Sequence, residues 1–320
     1  MITSRARQPV SLSDARIEHI EITSGRGKGN ELLLVFNGLL FFEVNASRGF
    51  DIRSCRYAGR QLGWLSPCTH VSPHSYHAEK DEWNRGFEGG LLTTCGLEHA
   101  GQVEAGYGLH GRFSYTEAEI EEKRIDRWAI RLAASISECK VGGHWYQVTR
   151  RIVTPLSEAK IIVTDTIKNC GAESAPLMLL YHINWSEPFL DAASAGVDRL
   201  GAWKLFKGSH EDSLDHRYAE LQEGSFEVGI CDLSNTSEQE IRLHWEEGPI
   251  QASLKYDRQQ LPAFSRWRLK NESQHVVAWE PGTVTTQGRR FHDQHNLLKY
   301  LAPSEQAEFT LEFEFSERKE

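Results

Sequence analysis

Glu31-Leu32-Leu33-Leu34-Val35-Phe36-Asn37-Gly38-Leu39-Leu40-Phe41-Phe42-Glu43-Val44 decides the fold class. Two apolar, strand-forming runs flank Asn-Gly, a dipeptide that tolerates the positive φ angles of a type I′ turn, so the stretch predicts a β-hairpin. The same texture continues outward. Trp128 to Ser137, His144 to Val153 and Lys160 to Lys168 are three successive β-rich runs separated by Gly, Ser, Pro or charged breaks. Pro176 to Asn184 follows, and its Leu177-Met178-Leu179-Leu180 core predicts a strand buried on both faces. Gln239 to Trp245, Ile250 to Tyr256, Phe264 to Leu269, Val276 to Glu280 and Ala307 to Phe315 complete the set. In the last of these Phe309, Leu311, Phe313 and Phe315 alternate with polar residues, a period of two that gives one buried and one wet face.

Many strands with short turns and no recurring helix between them predict an all-β chain of antiparallel sheets packed as a sandwich. No repeat of fixed period points to a propeller or solenoid. The 320 residues show no domain linker and are read as one domain, 1–320, with residues 1–15 loosely held. The charged stretch 204–225 has little β pattern and predicts a short helix or an excursion. The run Glu117 to Lys123 reads as a solvated turn or sheet edge.

Composition narrows the function classes. A net charge of -9, with no long Lys/Arg stripe, argues against a general grip on nucleic acid. No stretch approaches the roughly 20 apolar residues of a membrane helix, and the N-terminus lacks the apolar run of a signal peptide. The six cysteines (Cys55, Cys68, Cys95, Cys139, Cys170, Cys231) are scattered without a C-x-x-C pair, which suits a reduced, cytoplasmic compartment.

Three short segments carry the chemistry. His110 lies between glycines in Gly108-Leu109-His110-Gly111-Arg112, where small neighbours let another molecule approach; a hydrogen-bonded structural histidine is the alternative. If that segment is extended, Arg112 shares the face of His110 and can grip hydroxyls or an acid group. In Tyr181-His182-Ile183-Asn184, alternation sends His182 and Asn184 to one side, towards either a ligand cavity or neighbouring backbone. Glu280 ends the apolar run His275-Val276-Val277-Ala278-Trp279 and is followed by Pro281-Gly282. A carboxylate at a strand end beside tryptophan is partly desolvated, which raises its pKa and makes it a better base. A rival site is the trio His70, His74 and His77; Pro73 argues against a regular helix there, and the reading is no metal.

Taken with Arg48-Gly49-Phe50-Asp51-Ile52, Gly89-Gly90-Leu91-Leu92-Thr93-Thr94-Cys95-Gly96-Leu97, Tyr256-Asp257 and Leu261-Pro262, these segments resemble the aldose 1-epimerase (galactose mutarotase-like) superfamily, and more closely its branch of uncharacterised aldose 1-epimerase-like proteins. The resemblance spans roughly residues 33 to 285. It implies a large antiparallel β-supersandwich and a cofactor-independent isomerase that interconverts the anomers of a monosaccharide or sugar derivative. On it Glu280 matches the general base on the anomeric hydroxyl and His182 the histidine that protonates the ring oxygen. His110 matches the histidine that helps bind and polarise the sugar. Galactose mutarotases commonly carry an arginine shortly after the paired glycines, where this chain reads Leu91-Leu92-Thr93-Thr94. The altered pocket is therefore assigned to Arg48, Thr94, Arg112 and Asn184, with Asp257 and Asp51 as candidates for the sugar-binding aspartate.

The partners expected are a sugar, no nucleic acid and no membrane, with a homodimer as the one assembly entertained. Two other functions fit the same residues: a carbohydrate-binding or sensing protein without turnover, and a sugar isomerase or carbon epimerase using the base on a C–H proton.

Overall fold

The computed structural model describes residues 14–186, 189–190, 194–195, 200–208, 218–234, 236, 238–245 and 250–318. The expectation for residues 1–15 falls almost wholly outside them, as does 209–217 within the charged stretch. Among the described residues the strands form antiparallel sheets of five, eight, six and two strands, and the only α-helix is Arg289–Gln294. No helix among them is long and apolar enough to cross a membrane.

The opening hairpin forms, with Glu31–Phe36 paired to Leu40–Asn45. Its turn differs from the predicted type: Gly38 alone has positive φ, as in a type II′ turn with glycine at the first central position. Asn37 does another job. Its buried side chain accepts from the Leu39 and Leu40 amides and donates to Thr154 and to the Pro155 and Glu158 carbonyls. The hairpin is thereby stitched to the eight-stranded sheet.

Two other expectations are corrected. Pro176 to Asn184 is not one strand but two, Ala175–Leu177 and Leu180–Trp185, which enter different sheets. The break falls where the Met178 amide turns to the Leu97 carbonyl and the Leu179 amide to the Thr283 hydroxyl. The charged stretch is corrected at its beginning, where Ala202–Gly208 is a strand at the edge of the six-stranded sheet, while Tyr218–Glu220 forms a short helix, a single 3-10 turn. Ala118–Ile125, covering most of the charge run, edges the eight-stranded sheet as read.

The six-stranded sheet carries the site. Alternation divides its residues cleanly: Tyr181, Ile183, Trp185, Val277, Trp279 and Phe264 enter the main core between the sheets. His182, Asn184 and Glu280 face the other way, beside a smaller apolar cluster that includes Trp83, Phe87, Leu180 and Val276.

In the main core sits a charge. Arg150 is fully buried, and its guanidinium donates to Asp165 at 2.6 and 2.7 Å, to Asp51 at 2.5 Å, to Thr94 at 2.8 Å and to the Gly49 carbonyl at 2.9 Å. Tyr181 donates to Asp165 at 2.7 Å. Removing one partner of such a network leaves uncompensated buried charge, so Arg150→Ala is expected to cost about 3–5 kcal/mol of unfolding free energy. Denaturant titration checks this; a loss below about 1 kcal/mol would show that the network is not what joins the sheets.

Candidate active site

Register brings the two key residues together. Leu180–Trp185 pairs antiparallel with Gln274–Gly282, with Leu180 opposite Gly282 and Ile183 opposite Trp279. In that frame His182 stands opposite Glu280, on the same face. Their side chains meet at 3.4 Å between Nε2 and Oε1, and both are almost wholly buried.

Asn184 fixes the histidine's tautomer. Its Nδ2 donates to the Gly90 carbonyl at 2.9 Å and to the His182 carbonyl at 3.0 Å, so its Oδ1 is the acceptor that faces His182 Nδ1 at 2.7 Å. The imidazole must then carry its proton on Nδ1, which leaves the Nε2 lone pair aimed at Glu280. Burial sets the charge state of both groups. It pushes the Glu280 carboxyl up to about 8 and holds His182 down at about 4. Near neutrality the pair is a protonated carboxyl against a neutral imidazole.

The pair opens into a cavity of about 290 Å³. His110 lines it too, with its ring 5.8 Å from that of His182. Glu280 Oε2 and His110 Nδ1 are buried without a hydrogen-bond partner among the described residues, polar atoms left for something that enters. Burial, then the neighbouring His182, His99 and Lys207, hold His110 well below the ordinary imidazole range, so it is neutral. Trp83, Phe87 and Trp267 form an aromatic wall: Trp83 lies 4.7 Å from His110, and Phe87 and Trp267 lie 5.1 and 5.5 Å from His182. Lys207, Gln102 and Thr286 bring polar groups to the lining.

The profile of a family described as "Domain of unknown function (DUF4432)" matches residues 27–315. The chain belongs to the DUF4432 family. No curated protein matches its sequence. Solved structures match its fold throughout. A provisionally assigned aldose 1-epimerase from Klebsiella pneumoniae superposes with a TM-score of 0.82 at 20% identity, over 93% of this chain and 83% of its own. The galactose 1-epimerase of Lactobacillus acidophilus gives 0.64 at 11%, over 95% and 100%. A galactose mutarotase-like protein from Clostridium acetobutylicum gives 0.62 at 11%, over 95% and 99%. The fold of this DUF4432 chain is thus the galactose mutarotase-like β-sandwich.

Within the DUF4432 chain the residues marked in the sequence part company. Glu280, His182 and His110 line one cavity, and Asn184 stands behind His182 as its orienter. The others do not reach the cavity. Arg48 is buried against Glu88 at 3.1 Å and donates to the carbonyls of Val71, Gly86 and Ser114, holding the loop that carries Trp83 and Phe87. Thr94 and Asp51 belong to the Arg150 network, on the core side of the sheet. Asp257 ends a strand of the eight-stranded sheet, where it accepts from the Gln259 amide.

Arg112 is exposed and lies over Tyr76, because the segment is not extended: His110 has φ 58 and Gly111 φ 74. The glycines are demanded by the chain itself rather than by a ligand. A Cβ on Gly111 would lie 2.2 Å from the His99 carbonyl, and one on Gly108 2.7 Å from Ala78 backbone. The loop histidines do not converge: His70 turns to Glu88 and His74 to Glu117. Sequence reasoning missed Trp83, Phe87, Trp267, Gln102, Thr286 and Lys207. Only the density of aromatic residues from Trp83 to Phe87 hinted at a wall.

The buried acid has a cost that pH reveals. Unfolded, Glu280 titrates near 4.5; folded, it holds its proton to about 8. Between those values the unfolded chain binds fewer protons, so stability falls as pH rises. Glu280→Gln escapes this loss. It is expected to match the wild type near pH 5 and to exceed it by up to about 4 kcal/mol near pH 8.5. Denaturation at the two pH values measures the difference; one that does not widen with pH would refute a buried, protonated Glu280.

Proposed function

We propose that this chain is an aldose 1-epimerase-like isomerase that interconverts the anomers of a monosaccharide or sugar derivative by opening its ring. The observation that carries the reading is one contact: a buried carboxyl against a tautomer-fixed imidazole, at the wall of a cavity beside two polar atoms that have no partner among the described residues. Ring opening of a hemiacetal needs a base at the O1 hydroxyl and an acid at the ring oxygen. In the resting pair His182 Nε2 is the base and the Glu280 carboxyl the acid.

The electrons balance without any other group. His182 takes the O1 proton, the C1–O bond to the ring oxygen breaks with its pair moving to that oxygen, and Glu280 protonates it. A C1 carbonyl and a Glu280 carboxylate beside a His182 imidazolium result. Rotation about C1–C2 presents the other carbonyl face. On closure Glu280 takes the proton back from the ring-oxygen hydroxyl and His182 returns one to O1, so the pair regains its starting state with each residue serving the opposite oxygen from the one the family resemblance assigns. Asn184 accepts from Nδ1–H throughout and stabilises the imidazolium when it forms. His110 polarises a hydroxyl, and the aromatic wall packs against the C–H face of the ring.

Exchange NMR of α and β anomers across a panel of aldoses tests the proposal. Glu280→Gln should slow exchange by about 10²–10⁴-fold. For the wild type, kcat/KM should hold a plateau between the two buried pKa values, falling below about 4 as His182 takes a proton and above about 8 as Glu280 loses one. Undiminished exchange in the variant would sink the assignment. Solvent deuterium arriving at a sugar carbon would transfer it to carbon epimerisation, and sugar binding without exchange would leave a sensing protein.

A further inference from the structure

A second cavity, of about 690 Å³, lies on the same face of the six-stranded sheet as the first. The strand Ser225–Asp232 shows the continuity: Val228 lines the first cavity, and Ile230 and Asp232, two and four residues on along the same face, line the second. Ala263–Asn271 repeats the pattern, with Trp267 in the first cavity and Ala263 in the second. After Gly282 the chain runs along both, giving Thr286 to the first and Thr283, Thr285 and Gln287 to the second.

One residue is common to both. Phe206 sits where the pairing of the edge strand slips: Leu205 is opposite Gly229 and Lys207 opposite Val228, so Phe206 is the extra, bulged residue. Bulges re-aim side chains beside sites, and this one sets an aromatic ring between the two cavities.

We propose that the second cavity is the subsite for the second ring of a reducing disaccharide, with Phe206 dividing it from the pocket of the reducing unit. The proposal rests on the mutarotase reading for the orientation: C1 and the ring oxygen must lie at His182 and Glu280, so the second ring hangs from a hydroxyl remote from C1. The lining suits a pyranose. Phe206 and Phe291 supply flat apolar surface for a C–H face, while Gln287, Ser234 and Asp232 supply groups for the hydroxyl edge. The charged groups of the lining are Lys204, Arg258 and Asp232, which can donate to and accept from sugar hydroxyls.

Calorimetry of the full chain with glucose, galactose, maltose, isomaltose, lactose and melibiose tests the proposal. At least one reducing disaccharide should bind about tenfold tighter than its own reducing unit, a difference of about 1.4 kcal/mol. Ala263→Phe, which fills the second cavity, should erase that preference and keep monosaccharide binding. Ser234→Trp fills it from another wall if the first variant does not fold. Disaccharides that bind no tighter than monosaccharides, or a preference that survives both fillings, would overturn the subsite, as would an absence of any sugar binding. The outcome is separable from the parent reading: absent anomer exchange strikes the mutarotase assignment, whereas the subsite stands or falls on the affinity difference.

Discussion

A positive charge with no access to water is the constraint around which this molecule is organised. Arg150 belongs to the eight-stranded sheet, Asp51 to the five-stranded sheet and Thr94 to the six-stranded sheet, so its hydrogen bonds require all three to be in place at once. Asp165 and Tyr181 extend the network to the strand that carries His182. Because side chains alternate, fixing Tyr181 on the core side fixes His182 on the other. Burial resists ionisation of Asp51, whose carboxyl is held above its ordinary range, while Arg150 pulls it back. Buried ion pairs are weak sources of stability but strong specifiers of geometry where all partners are present. Here the geometry specified is the depth and register of the site-bearing strand.

On the opposite face, desolvation is used without a compensating charge. Among the described residues no cation pairs with Glu280, and its neighbour His182 is held neutral by the same burial. The site therefore stores one proton in a neutral form, which costs less in a dry cavity than two separated charges. Polarity returns only when the proton moves. On the proposed function, a sugar hydroxyl that bridges the two groups provides the route. The unpartnered Glu280 Oε2 and His110 Nδ1 are the complementary feature, groups whose desolvation is offset only when a ligand arrives.

This division explains what could be read from the sequence. Strands and their faces were legible because period-two patterning is local, and so were His182, Glu280 and the alternation of Tyr181 with His182. The partner of a buried polar residue is not local. Arg48 and Thr94 read as pocket residues because a polar side chain in an apolar segment must find a partner, and the sequence does not say whether that partner is a ligand or distant protein atoms. They found Glu88 and Arg150. Asn184 was marked for the right reason and the wrong contact: it faces the site, yet it touches His182 rather than the cavity. Arg112 failed on two dihedrals, since a positive φ at His110 and at Gly111 breaks the alternation on which its placement depended. The lining around Lys207 came from a stretch whose charge hid an edge strand.

Chemistry and selectivity are also built on different parts of the chain. The acid–base pair stands on paired strands, where register holds the contact between His182 and Glu280. The loops that carry Trp83, Phe87, Gln102 and His110 shape what enters, and they are packed backbone against backbone. A Cβ on Gly90 would meet the Ile52 carbonyl at 2.8 Å, and one on Gly101 the Thr286 carbonyl at 2.6 Å. Both glycines also hold positive φ, so neither loop can shift or take a side chain there without strain. Phe206 instead stands at a bulge, on a strand that among the described residues is paired on one side. On the proposed function, a change of substrate can therefore proceed at that edge while the sheet keeps the proton pair intact, which would let one fold with one acid–base device serve sugars of different size.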